Sequence, residues 1–140
     1  MPHTKNLPNK NVRYLSLAEI ITLHKILIEK YGGKPGIRDQ ALLESAVFRP
    51  QATVLGQDAY PDLLEKCAVL GFSLIQNHPF IDGNKRTGFG AMHLMLLMNG
   101  HDITADSNQA VKMTEKIAQG KLKEFEIAQW LKKYTKKRIG

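Results

Sequence analysis

Nine consecutive residues, His78-Pro79-Phe80-Ile81-Asp82-Gly83-Asn84-Lys85-Arg86, bring together an imidazole, a carboxylate, a glycine, a carboxamide and two cations. The set suits phosphate chemistry. Asp82-Gly83-Asn84 precedes a predicted helix start, where free backbone N–H groups and the helix dipole favour an anion. Gly83 permits backbone dihedrals that other residues avoid and a close approach to a ligand. Lys85 and Arg86 fall in the first helical turn, where a bare helix prefers acids. A polyanion bound between them accounts for that placement. Arg86 offers a planar fork to phosphate oxygens, and Lys85 a point charge. Asp82 is a hard oxygen ligand of the kind that holds Mg²⁺ bridging phosphates. His78 belongs to the residue type that exchanges protons near neutral pH, which makes it a candidate general base. Pro79, Phe80 and Ile81 are structural by type, with the Phe80 ring expected beneath the loop. Taken singly, each polar residue has a plainer role: Asp82 an N-cap, His78 a hydrogen-bonded loop residue, Lys85 and Arg86 solvated charges. Their concentration in one stretch favours a site.

Helices must position this loop. Ser16 and Glu19 form a capping box, and Ile20, Leu23, Ile26 and Leu27 continue with helical spacing to a stop at Gly32-Gly33. After a Pro/Gly loop, Asp39 can cap a short helix from Gln40 to about Phe48. Residues 50–60 lack a clear period, with Thr53-Val54-Leu55 a short strand or flap. Pro61 suits the first turn of the next helix, which runs to about Gln76. A polar loop over 77–83 follows. The next helix begins near Asn84 and ends at Asn99-Gly100. It is apolar on nearly every side from Phe89 to Met98, which predicts a position at the domain centre. Asp106 and Gln109 start a further helix that Gly120 ends, and the last helix spans roughly Lys123 to Lys136. The expected fold is all-α: a bundle of six or seven helices around a central buried helix, one domain over residues 1–140, with the catalytic loop at the central helix N-terminus.

Composition narrows the class. The chain has 140 residues, with 20 Lys plus Arg against 13 Asp plus Glu, a formal net charge of +7. Apolar residues make up 43% and charged residues 24%, which excludes wholesale disorder, collagen-like repeats and a coiled-coil rod. The lone Cys67 excludes an intrachain disulfide framework and a cysteine-rich zinc module. The stretch from Ala91 to Met98 is far short of the ~18 apolar residues of a membrane span. The N-terminus is polar and has no apolar signal region, so a cytoplasmic protein is expected. The segment from Trp130 to Gly140 carries five basic residues and no acid. Cations suit a helix C-terminus, and no nucleic-acid motif accompanies them, so direct nucleic-acid contact is not expected.

The loop resembles the signature of the Fic/Doc family, H-x-F-x-[D/E]-[G/A]-N-[G/K]-R, matched at His78, Phe80, Asp82, Gly83, Asn84, Lys85 and Arg86. Gly36-Ile37-Arg38-Asp39, Leu42-Leu43-Glu44-Ser45 and Arg49-Pro50 are similar to the upstream region of Doc-type members, so the resemblance covers nearly the whole chain. AMP-transferring Fic enzymes usually carry Gly where this chain has Lys85. They also carry a second arginine where it has Phe89, which in the family orients the nucleotide to present its α-phosphate. Both departures match the Doc branch, whose members bind the nucleotide reversed and transfer its γ-phosphate. The resemblance therefore implies a toxin of a toxin–antitoxin pair that phosphorylates a Thr or Ser hydroxyl of a protein, for Doc a threonine of elongation factor Tu, and so stops translation. It implies ATP or another nucleoside triphosphate as co-substrate, with Mg²⁺. It assigns His78 as general base, Asp82 as Mg²⁺ ligand, Gly83 and Asn84 with the following amides as phosphate binders, and Lys85 and Arg86 as stabilisers of the transferring phosphoryl group.

Arg38, Glu44 and Arg49 are weaker candidates for a target-binding flank, with salt bridges between short helices an equal explanation. His24 and His93 lie on helices without partners at ligand spacing. His3 and His101 fall in loops, Cys67 is expected buried and inert, and Met92, Met95 and Met98 pack in the core. Many Fic proteins carry an inhibitory [S/T]-x-x-x-E-[G/N] helix. No Ser or Thr here has Glu four residues later, so restraint is expected from a separately encoded antitoxin that folds on binding. Two other readings are a Fic-like nucleotidyltransferase acting on a protein hydroxyl and a catalytically idle binding module.

Overall fold

The computed structural model describes residues 11–138; His3 and the N-terminal stretch read for a signal region lie outside them. Six α-helices follow in order: α1 (Leu17–Tyr31), α2 (Gln40–Phe48), α3 (Leu63–Asn77), α4 (Asn84–Met98), α5 (Ser107–Ala118) and α6 (Glu124–Tyr134). A 3-10 turn, Arg49–Gln51, extends α2. Local chemistry sets the starts. Ser16 and Glu19 cap α1 reciprocally, Asp39 accepts from the Leu42 N–H at α2, and Asp106 with Gln109 boxes α5. Helix α3 starts later than Pro61 predicts. Asp62 is its N-cap and forms a box with Glu65, leaving Pro61 outside the helix.

Helices α3 and α4 form the central pair. Leu70, Leu74, Met92, Met95 and Leu96 are at most 1% exposed. Helix α3 also packs on α2, α5 and α6, and α1 packs on α4. Two glycines set the α3–α4 approach. A Cβ at Gly88 would lie 2.6 Å from Ile75 Cγ1, and one at Gly71 would meet the Met92 side chain. The expected central helix α4 thus shares its place with α3, which is buried on more sides.

Short strands complete the fold. Residues Thr53–Val54 (β1) and Gln57–Asp58 (β2) form a hairpin. It is tied to α3 by an ion pair 2.9 Å long between Lys66 Nζ and Asp58 Oδ2, with both side chains buried. A second antiparallel pair joins β3 (His101–Ile103) to β4 (Thr135–Lys137). This corrects two expectations: the last helix stops at Tyr134, and His101 lies in a strand, not a loop. Among the described residues no helix is long and apolar enough to cross a membrane.

Candidate active site

The loop between α3 and α4 is held on every side by bonds of its own chain. His78 terminates α3 in the left-handed region, at φ 50° and ψ 53°, a conformation that side chains other than glycine rarely adopt. Arg38 supports it: Nε donates to the His78 carbonyl at 2.6 Å and an Nη to the Asn77 carbonyl at 2.9 Å. Its cation thereby serves the open carbonyl end of α3. The backbone is zipped alongside. The Arg38 and Asp39 N–H groups both donate to the Pro79 carbonyl, at 2.7 and 3.0 Å, and the Ile81 N–H donates to Gly36 at 3.0 Å. Ile37 and Phe80 complete an antiparallel bridge.

Beneath the loop, Phe80 is fully buried, as its type predicts. Asn84 is buried as well. Its Oδ1 accepts from the Phe80 N–H at 2.9 Å and its Nδ2 donates to the Phe80 carbonyl at 3.0 Å. The carboxamide thus closes the loop on itself, and what Asn84 presents to an anion is its backbone N–H at the first turn of α4. His24 lies 3% exposed on α1 and stacks on Phe80 with ring centroids 3.8 Å apart and planes 5° apart. Its Nε2 donates to the Asp82 carbonyl at 2.8 Å. The spacing Ile20, His24, Ile28 places one polar residue on the buried stripe of α1, and that was the available signal for this support.

The Asp82 carboxylate is oriented by two backbone donors, Lys34 N–H on Oδ2 at 3.0 Å and Gly83 N–H on Oδ1 at 2.9 Å. These bonds, that from Lys34 first, hold its carboxyl below the usual aspartate range. Gly33 makes the approach possible: its φ is +120°, and a Cβ there would stand 2.9 Å from Asp82 Oδ2. Gly83, at φ 77°, caps α4 without a side-chain hydrogen bond, and no acid stands in the first turn. The first N–H groups of α4 are left without a side-chain partner. Arg86 donates from one Nη to the Gly32 carbonyl at 3.3 Å.

One cleft of about 800 Å³ gathers His78, Asp82, Gly83, Asn84, Lys85 and Arg86. Gly32 and Gly33 flank its polar end; Ile75, Phe89 and the α5 residues Ala110, Val111 and Ala118 make its apolar wall. Every candidate in the nine-residue stretch therefore meets in a single concavity. The weaker candidates do not join it. Arg49 pairs with Glu124 and donates to Tyr60 Oη and Ser73 Oγ, and Glu44 accepts from Gln40. Neither lines the cleft. Among the described residues Arg38 forms no salt bridge, and it props the loop from behind. His93 contacts Asp102 at 2.8 Å, His101 Nδ1 lies 3.0 Å from the Asn99 carbonyl, and burial pushes the Cys67 thiol up, out of the reactive range. Among the described residues no three His, Cys, Asp or Glu side chains cluster as a metal cage.

The model of the Fic/Doc family matches residues 14–96, from ahead of α1 into α4, a span that contains the whole loop. The chain belongs to the Fic/Doc family. It is 46% identical over 93 residues to a "Toxin Doc" of Mycolicibacterium smegmatis, covering 66% of this chain and 69% of that protein. It is 33% identical over 122 residues to a "Protein kinase doc" of Escherichia phage P1, covering 87% of this chain and 95% of that protein. The all-α core around α3 and α4 is consistent with Fic/Doc membership.

Proposed function

We propose that this Fic/Doc protein is a Doc-like toxin that transfers the γ-phosphate of a nucleoside triphosphate, ATP or another, to a Thr or Ser hydroxyl of a cytoplasmic protein, elongation factor Tu by family resemblance. Translation is thereby inhibited, and a separately encoded antitoxin restrains the enzyme. The observation that carries this reading is the convergence of His78, Asp82, Lys85, Arg86 and an uncapped helix N-terminus in one cleft. The names of the two relatives, a toxin and a protein kinase, support it. Lys85 and Phe89 favour phosphate over nucleotide transfer, because the arginine that orients an α-phosphate in AMP-transferring relatives is replaced by an apolar ring.

The roles are those the family resemblance assigns, and the shared cleft supports them. The imidazole of His78 takes the proton of the target hydroxyl as the oxygen–phosphorus bond forms and the β–γ bridging bond breaks, leaving a nucleoside diphosphate. The N–H groups at the start of α4 and the cations of Lys85 and Arg86 bind the phosphates and stabilise charge on the transferring group. The donor set fits a Mg²⁺ that arrives with the nucleotide. Asp82 is one ionised, oriented carboxylate, and a lone carboxylate with substrate phosphates and water is a usual Mg²⁺ arrangement. That ion would supply charge neutralisation at the phosphates.

The test is intact-mass spectrometry of elongation factor Tu after incubation with the protein, ATP and Mg²⁺, with His78→Ala as control. A gain of about 80 Da, absent with the variant, is expected. A nucleotide-sized gain would replace this reading with nucleotidyl transfer. A toxic phenotype unchanged in His78→Ala would indicate a binding module.

A further inference from the structure

The geometry points to Tyr31 as the positioning residue of Arg86. Tyr31 is the last residue of α1 and is 56% exposed at the edge of the cleft. The guanidinium carbon of Arg86 stands 4.9 Å from the ring centroid, within the range of cation–π attraction. The next residue supplies a second hold, the Gly32 carbonyl that accepts from an Arg86 Nη at 3.3 Å. Gly32 ends α1 at φ 88°, so the helix terminus itself turns a ring and a carbonyl toward one side chain. These two contacts order a long, flexible cation while leaving most of its N–H groups for phosphate oxygens. Such ordering matters here because Arg86 starts from a poor place: it stands in the first turn of α4, where the dipole repels a cation. Lys30 Nζ lies 5.3 Å from the same ring, and no carboxylate forms an ion pair with Arg86 among the described contacts. The aromatic face therefore holds the cation without adding a further carboxylate to a cleft that already carries Glu115 and Asp82, whose carboxylate feels the charge of Arg86.

This inference rests on the reading of the cleft as a nucleotide phosphate site, and its test has one arm that does not. In the nucleotide-free protein, ¹⁵N relaxation of the Arg86 Nε, assigned by its loss in Arg86→Lys, reports the order of the side chain. Tyr31→Leu should make Arg86 more mobile, and Tyr31→Phe, which keeps the ring, should leave it as in the unsubstituted protein. Equal mobility in all three would overturn the proposal whatever the reaction proves to be. In the functional arm, Mg²⁺·ATP affinity by calorimetry and kcat/KM for target modification should fall on the order of threefold to tenfold in Tyr31→Leu and recover in Tyr31→Phe. In an Arg86→Ala background Tyr31→Leu should cost nothing further. A full loss in that background would show that Tyr31 acts without Arg86 and would sink the idea. If the unsubstituted protein binds no Mg²⁺·ATP, the nucleotide reading fails, and the relaxation arm alone decides the Tyr31–Arg86 coupling. Because Tyr31 is exposed at a helix end, the melting temperature should be the same in all variants.

Discussion

Asn84 illustrates how one side chain can hold a cleft in shape through backbone bonds. Both ends of its carboxamide bond the backbone of Phe80 in a buried setting. Asn84→Ala strands a buried N–H and a buried carbonyl, so it should cost about 2–4 kcal/mol of stability, measured by urea denaturation. Activity should fall with it although no charge has changed. The motif made the cleft-facing residues legible, because His78, Asp82, Lys85 and Arg86 combine chemistries that seldom share nine positions. It did not show the inward bonds of the Asn84 carboxamide, which close the loop on Phe80. His24 and Tyr31 carried no such signal, and Arg38 stood out only as a candidate for a target-binding flank. Their work depends on which helix ends meet the loop, and that follows from packing between segments far apart in sequence. Only the isolated polar residue in the Ile20–Ile28 stripe hinted at His24.

Helix starts were legible because their determinants are local. Capping boxes at Ser16 and Asp106 and the Asp39 cap act within one turn. The β3–β4 pair was not, since His101–Ile103 and Thr135–Lys137 are too short for a period and each is ordered only by the other. The β1–β2 hairpin gives this scale its test. Lys66 and Asp58 form an ion pair buried on both sides. Lys66→Met removes the buried ammonium that Asp58 contacts and should destabilise the protein by about 3–5 kcal/mol. Adding Asp58→Asn should recover part of the loss, because a neutral amide is cheaper to bury than a carboxylate. Denaturant midpoints of the single and double variants measure both. A single variant within 0.5 kcal/mol of the parent, on the order of a surface change, would mean that the hairpin is not anchored through this pair.

The molecule as a whole carries a charge imbalance of +7, yet several of its carboxylates are tied into the fold. Asp82 is held below its usual range by the Lys34 and Gly83 N–H groups, and Asp102 by its bond to His93 and by the Ile103 N–H. For Glu124, burial works upward, but bonds from its own N–H and from Arg49 outweigh it and the net direction is down. The unfolded chain therefore takes up more protons in acid than the folded one. The stability these groups contribute is complete above about pH 5, declines below the unfolded values near pH 4 and is lost once the pH passes below the folded ones. The melting temperature should accordingly change little on their account between pH 7 and 5 and drop steeply toward pH 3, and Asp102→Asn should make that drop shallower. The central placement of α4 was legible in its all-round apolar surface. The larger share taken by α3 was not, since polar residues such as Lys66 and Ser73 interrupt its pattern yet are buried with partners.

The strap of backbone bonds between residues 36–39 and the loop has a kinetic meaning. With Pro79 accepting from two N–H groups and Ile81 bonded to Gly36, the loop is held in its shape by the chain's own backbone. On the proposed reading, entry of a polyanion needs no prior ordering of the loop, and its approach is steered by Lys85 and Arg86 against the Asp82 and Glu115 carboxylates of the same lining. On that reading, the rate of the first step is set by diffusion and ionic strength more than by any motion of the loop.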